Sequence, residues 1–423
     1  MTEIDDKFYC KVKVVDEMMG MGKSSAAINY INSLDDDVKV MYVTPYLDEV
    51  ERIKKSCESK KMKEPTWKEG RKIESLRELI IKGENIVTTH ALFHHFDGEL
   101  IDLCWRQNYI LFLDEVTDVI ETYSGLKSKQ DLDVLLDNFA SIDTDSGIIK
   151  WRDDVVYNGE KFADEKRMCK LGSLACYGDG VMMWLFPMRV FNAFREIYIL
   201  TYMFDAQMQA YYYKYHNLPY TRLYITGDDP QKAVFTENES EKRVVSHNFR
   251  ELITIVEDDK LNRIGDKDTD LSKSWYERNK RNGGADVVKN NLYNFFRHRT
   301  GLGTSHNLWA TFSDYKGRLK GKGYTNGFAP INSRATNKYS DCDCVAYTVN
   351  RFLNPVIVKF FEKHGIEVNE EDYALSEMLQ FIWRSAIRKG KPITIYIPSS
   401  RMRRLLKKWI EENSCENSET NQE

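Results

Sequence analysis

The sequence predicts an α/β protein whose parallel sheets are flanked by helices, and three observations predict it. Short β-prone runs alternate with helical stretches along most of the chain, the pattern of strands joined by crossover helices. Tyr109 to Leu113 is apolar throughout and runs into acid, as a parallel strand covered on both faces does. A glycine-containing loop separates the first strand from the first helix.

In chain order, Cys10 to Val15 reads as a strand, Met18 to Gly22 as the loop, and Ser24 to Ile31 as a helix by its apolar spacing. Val38 to Thr44 is a second strand, closed by Pro45 and followed by the charged helical stretch Asp48 to Lys61. Asn85 to Thr89, Tyr109 to Leu113 and Glu196 to Leu200 complete the first strand series, and Arg222 to Thr226 follows a change of character near 218. Asp228 to His306 is polar, with only local apolar clusters, and is expected to be an irregular or helical insertion. A second strand series is expected at Leu308 to Phe312, Gly327 to Ile331, Cys344 to Tyr347 and Ile393 to Pro398, before a basic helix from Arg401 to Glu411. The segment 413–423 is polar and acidic, and disorder is expected there.

Composition narrows the classes. The 423 residues are enough for two or three domains. Hydrophobic residues at 42% and charged residues at 30% exclude a mostly disordered or collagen-like chain. Sixty-one basic against 65 acidic residues leave a net charge of −4, so a globally basic nucleic-acid coat protein is excluded while local basic patches are not. No uncharged run approaches the ~18 residues of a membrane span, and MTEIDDKFYC does not begin as a secretory signal does. The eight cysteines form no CxxC pair and the eight histidines no HExxH, so scattered reduced thiols and no metal-ligand spacing are expected.

The chemistry starts at Glu17-Met-Met-Gly-Met-Gly-Lys-Ser24, which ends in the GK[ST] of a phosphate-binding loop. Glycines let backbone N–H groups approach phosphates, Lys23 brings a point charge, Ser24 offers a hydroxyl to Mg²⁺, and the helix N-terminus favours negative charge. Glu17 stands where the first glycine of GxxxxGK[ST] belongs. A plain glycine turn with a surface lysine is the blander reading, and the second motif argues against it. Ile110-Leu-Phe-Leu-Asp-Glu-Val116 is a strand tipped by two carboxylates: Asp114 is placed to hold Mg²⁺ and Glu115 to orient or deprotonate the attacking water.

The order of further segments resembles a superfamily 2 helicase of the DEAD-like type encoded by bacteriophages, and is distantly similar to the herpesvirus-type origin-binding helicases. The segments are MGMGKS (motif I), VTPYLDEV (Val43 to Val50), TTHALF (Thr88 to Phe93), LDEVTD (motif II), LTYMFDAQ (motif III, Leu200 to Gln207), NSRATNKY (Asn332 to Tyr339, motif V-like) and QFIWRSAIR (motif VI, Gln380 to Arg388). The resemblance implies two tandem RecA-like domains, 1–217 and 218–412, the second carrying the insertion at about 228–306, with ATP bound between them. It implies a nucleotide loop of Gly20, Met21, Gly22, Lys23, Ser24 and Ser25, with Mg²⁺ on Ser24 and Asp114. Catalysis would draw on Lys23, Asp114, Glu115, Gln380, Arg384 and Arg388, and Thr201 would couple phosphate state to domain movement. Thr44, Pro45, Thr89 and His90 fall where such enzymes touch a nucleic-acid strand. The resemblance further implies DNA more than RNA as partner, replication proteins as possible partners, and a host cytoplasm as location.

Motif VI departs from QxxGRxxR. Trp383 replaces the glycine, and Arg388 lies one position late. A four-residue spacing would keep both guanidiniums on one helix face, with Arg388 as the finger and Arg384 on a phosphate. No adenine-reading glutamine precedes the loop, so base preference stays open. Tyr315-Lys-Gly-Arg-Leu-Lys-Gly-Lys-Gly-Tyr324 carries Lys316, Arg318, Lys320 and Lys322 between two tyrosines, a pattern suited to phosphates and stacked bases or, more plainly, to a solvated surface hairpin. Tyr211 to Tyr213 are expected to pack within a helix. The leading expectation is an ATP-dependent helicase or translocase for phage replication or recombination. The alternatives are a motor or loader without unwinding, and a regulatory protein with a decayed ATPase site.

Overall fold

A computed structural model of the chain describes residues 11–414 except 69–70, 127, 179, 246 and 332–337. The chain forms two compact units: Met1–Arg243 with Asn354–Val368, and Val244–Leu353 with Asn369–Glu423.

The first unit carries, in order, β1 (Lys11–Asp16), β2 (Val40–Thr44), β3 (Ile86–Thr89), β4 (Ile110–Asp114), β5 (Ile120–Thr122), β6 (Ala140–Ile142), β7 (Ile149–Trp151), β8 (Leu174–Tyr177), β9 (Val181–Leu185), β10 (Glu196–Thr201), β11 (Tyr220–Thr226) and β12 (Val234–Thr236). Its main sheet has the order β12-β11-β1-β10-β4-β2-β3. All neighbours pair in parallel except β11 with β12. Strands β2 and β4 are buried at every position because helices cover both faces. Alternation sorts their side chains. Met41, Val43, Leu111 and Leu113 face a core completed by Leu100, Cys104, Phe360 and Phe361. Val40, Tyr42, Ile110 and Phe112 face the one completed by Ala26, Ala27, Ile31, Val50 and Ile53.

Between β4 and β10 the chain builds two small antiparallel sheets, β5-β9-β8 and β6-β7. They share an apolar cluster of Leu132, Leu135, Ile149, Trp151, Phe162 and Leu174.

The second unit holds β13 (Ile253–Ile255), β14 (Asn307–Ala310), β15 (Cys344–Tyr347) and β16 (Ile393–Tyr396), all parallel in the order β13-β16-β15-β14. Trp309, Ala346 and Tyr396 pack against Trp275, Tyr276, Leu292 and Phe296.

Three expectations need correction. The boundary lies at 243, because β11 pairs with β1 and β12 with β11, so the first unit's sheet extends beyond 217. The segment 228–306 is no insertion: its start belongs to the first sheet, and its remainder supplies β13 and the helices that cover the second sheet. The expected strand Gly327 to Ile331 is a 3-10 turn at Thr325–Gly327 and a lone bridge between Trp309 and Phe328. Tyr211, Tyr212 and Tyr213 lie buried in the helix Met208–Tyr215, and the basic helix spans Ser400–Asn413. The residues 415–423 and most of the motif V-like segment lie outside the described residues.

Candidate functional site

The candidate nucleotide site lies at the carboxyl edge of the first sheet, where open α/β sheets bind ligands. Register brings its parts level. Asp16 at the end of β1 is opposite Thr201 on β10, and Leu200 is opposite Asp114 at the end of β4.

The loop from Glu17 to Gly22 connects β1 to the helix Lys23–Ser33. It turns through left-handed backbone at Gly20 (φ +86°) and Gly22 (φ +97°). Gly22 is also closed in: a Cβ there would lie 2.7 Å from the Pro230 carbonyl oxygen and 2.9 Å from Ala233 Cβ. The turn joining β11 to β12 therefore presses on the loop, and Asn29 Nδ2 fastens it by donating to the Gln231 and Ala233 carbonyls at 3.0 Å each. Met21 is buried, and Ser24 and Ser25 are half-buried in the first helical turn. Lys23 is buried and folds back, its Nζ donating to the Glu17 carbonyl and to that of Met18 at 3.1 Å. Burial pulls the ammonium's pKa down, while Glu115, Asp114, Asp16 and Glu17 pull it up.

Asp114 is buried and accepts a 3.2 Å hydrogen bond from Tyr42 Oη. Burial first, then Glu115 and Glu49, push its carboxyl up to about 7, against the opposing pull of Arg52. The positive charge that reaches it from Arg52 does not offset that burial, and a divalent cation would add to it. Asp114 and the Ser24 hydroxyl are hard oxygen donors of the kind Mg²⁺ takes alongside phosphate oxygens and water. Among the described residues no group of three or more His, Cys, Asp or Glu side chains is arranged to hold a metal by itself.

Glu115 has left-handed backbone at φ +70°, an uncommon state for a residue with a side chain and one that collects at functional sites. Its N–H donates to the Leu200 carbonyl at 2.9 Å, and its Oε2 accepts from Thr201 Oγ1 at 3.3 Å. Motifs II and III are thereby bonded to each other. Thr117, in the fourth position of the acidic box, donates its N–H to Gln209 Oε1 at 2.9 Å and pairs with His94 Nε2 at 2.8 Å. Gln209 is fully buried and also bonds Tyr213. The sequence reading missed Gln209, since a glutamine in a tyrosine-rich helix carries no motif. It also missed the bridge from Arg222 to Asp16 (2.9 Å) and Asp205 (2.5 Å).

The expected nucleic-acid contacts fare differently. Thr44 is completely buried, so its hydroxyl is withdrawn from any ligand in this conformation. His90 Nε2 is committed to the Asp114 carbonyl at 2.9 Å. Pro45 and Thr89 are half-buried at the ends of β2 and β3.

In the second unit the motif VI residues separate. Gln380 is near the end of the helix Glu370–Ile382, its Nε2 buried without a hydrogen-bond partner. Arg384 lies beyond the helix, 2% exposed, and donates to the Pro330 and Ile331 carbonyls at 2.8 and 3.0 Å. Arg388 is exposed on a separate 3-10 turn, Ala386–Lys389. The expectation of one shared helix face is thus corrected: the helix ends at Ile382. The Tyr315 to Tyr324 segment also differs from expectation. Both tyrosines are buried in the apolar cluster and leave no face for stacking. Lys316 lies over the Phe328 ring, Arg318 pairs with Asp286 at 3.0 Å, and Lys320 and Lys322 are exposed.

No helix among the described residues is long and apolar enough to cross a membrane. The solved chain described as XPD_APO covers 96% of this chain and 96% of itself at a TM-score of 0.52 and 14% identity, a likeness of fold. With it, the two parallel sheets are those of two tandem RecA-like domains. The family described as "YonV C-terminal Rossmann-like domain" matches residues 247–410, and "YonV middle domain" matches 123–184, the region of the two small sheets. The SPbeta prophage-derived uncharacterized protein YonV of Bacillus subtilis (strain 168) is 40% identical over 412 residues, covering 95% of this chain and 99% of the relative. The chain belongs to the YonV family.

Proposed function

We propose that the chain is an ATP-dependent nucleic-acid helicase or translocase that acts for a phage or prophage, on DNA rather than RNA, in replication or recombination. The observation that carries the reading is the alignment of Lys23, Asp114, Glu115 and Thr201 at one sheet edge, with Glu115 bonded to Thr201. In this reading the loop N–H groups and Lys23 take the β- and γ-phosphates, and Lys23 exchanges the Glu17 and Met18 carbonyls for phosphate oxygens. Ser24 and Asp114 would hold Mg²⁺, whose charge would favour the ionised form of Asp114 and offset charge on the phosphates. Glu115 orients the attacking water, and loss of the γ-phosphate is transmitted through Glu115 and Thr201. Arg388, exposed and outside the helix, fits a mobile cation better than Arg384, whose guanidinium braces the backbone at Pro330 and Ile331. Pro45, Thr89, Lys320 and Lys322 remain available for a strand. Lys316 and Arg318 are engaged within the second unit.

The reading is supported by the prophage origin of the relative and by the fold likeness. The test is strand displacement from a tailed duplex with Mg²⁺ and ATP. Displacement that needs ATP and is abolished by Lys23→Ala is expected. Nucleic-acid-stimulated turnover with no displacement would favour the second reading, a motor or loader without unwinding.

A further inference from the structure

Glu17 is an odd residue for a loop that receives phosphates. It is 3% exposed, and its Oε1 is buried without a hydrogen-bond partner. Its backbone is fully used: the N–H donates to the Thr201 carbonyl at 3.0 Å, and the carbonyl accepts from Lys23 Nζ. A carboxylate here opposes the anion that the loop is shaped to hold. Its other oxygen, Oε2, lies 3.3 Å from Lys242 Nζ. Lys242 is held in place by backbone. Its N–H donates to the Glu239 carbonyl at 3.0 Å, and the next residue, Arg243, donates to the Ile225 carbonyl of β11 at 2.7 Å. The ammonium also stands over the Tyr224 ring at 5.8 Å. Asp16 and Lys23 are the other charges that bear on Glu17.

We propose that Lys242 is a positioning residue of the phosphate loop, whose charge cancels that of Glu17 and so sets the affinity for a nucleoside di- or triphosphate. The inference rests on the nucleotide-site reading above. Without Lys242 the buried carboxylate is left unpaired beside the phosphates, which raises the cost of binding them. With both side chains removed there is no charge to cancel. Lys242 therefore acts through Glu17, and its loss is harmful only while Glu17 is present.

The test is equilibrium titration of the full chain with fluorescent Mg-ADP, with a melting curve for each variant. Lys242→Ala is expected to weaken binding roughly tenfold or more, Lys242→Arg to stay within about threefold of wild type, and Glu17→Ala to bind at least as tightly. The double variant Glu17→Ala with Lys242→Ala is expected to recover most of the loss. A double variant as weak as Lys242→Ala alone would assign Lys242 a direct phosphate contact and overturn the proposal, as would wild-type affinity in Lys242→Ala. If Lys242→Ala does not fold, weaker binding by Glu17→Ala overturns it instead. Wild-type protein that takes up no ADP defeats the nucleotide-site reading and this proposal together. Binding without the Glu17–Lys242 dependence defeats this proposal alone.

Discussion

Two glycines of the phosphate loop separate the cost of a strained backbone from the cost of crowding. Gly20 and Gly22 both have positive φ, +86° and +97°. A Cβ at Gly20 meets nothing within 4 Å, whereas one at Gly22 meets the Pro230 carbonyl oxygen at 2.7 Å. Gly20→Ala therefore carries only the left-handed penalty, about 1–2 kcal/mol. Gly22→Ala carries that penalty and must also displace backbone between β11 and β12, adding about 1–3 kcal/mol of overpacking. For a unit of this size each kcal/mol moves Tm by roughly 2–4 °C. Gly22→Ala is thus expected to melt roughly 4–20 °C below wild type, and Gly20→Ala only roughly 2–8 °C below. Differential scanning calorimetry without nucleotide reads both values. Equal shifts for the two variants would refute the claim that the β11–β12 turn is packed on the loop.

Asp114 gives a pH prediction. Its carboxyl is held up to about 7 by burial and by Glu115, so the stability of its neutral form is present in full below pH ~4 and is lost as pH rises through 7. In EDTA, Asp114→Asn is expected to melt above wild type at pH 8, by up to about 4 kcal/mol of stability, with the gap narrowing toward pH 5. A gap independent of pH would contradict it. Arg384→Ala abandons two carbonyls and a buried volume and is expected to lower stability by about 2–4 kcal/mol in denaturant melts. Arg388→Ala is expected to leave stability within about 0.5 kcal/mol and to retain Mg-ADP binding while turnover falls, which a filter-binding and phosphate-release pair of assays distinguishes. Tyr42→Phe removes the donor to Asp114 and is expected to weaken Mg²⁺-dependent nucleotide binding only about two- to tenfold, read in the same titration.

The strands that carry the site were legible because each is a local apolar run followed by its own signal. Asp114 closes one such run, and Lys23 follows a glycine turn. Thr201 ends a third. Pairing between distant segments was not legible. β13 is three residues long, and its partner β16 lies beyond both remaining strands of its sheet, so nothing local marks Ile253 to Ile255 as part of it. β11 reads as a strand, but only its hydrogen bonds to β1 assign it to the first sheet. The two small sheets between β4 and β10 are made of strands of three to five residues whose apolar cluster is assembled from separated elements. Motif VI misled for a related reason: four-residue spacing means one face only while a helix continues, and the helix stops at Ile382. Tyr315 and Tyr324 misled because an aromatic beside lysines looks the same in sequence whether it meets a base or the core.

The central claim is that the carboxyl edge of the first sheet hydrolyses ATP in response to a nucleic-acid strand. The most direct measurement is steady-state phosphate release by the full chain with Mg²⁺ and ATP, without polymer and with single-stranded DNA, duplex DNA or RNA, with Glu115→Gln as control. The account predicts low basal turnover, strong stimulation by DNA, and loss of turnover in Glu115→Gln. Turnover that no polymer changes, or that survives Glu115→Gln, would contradict it.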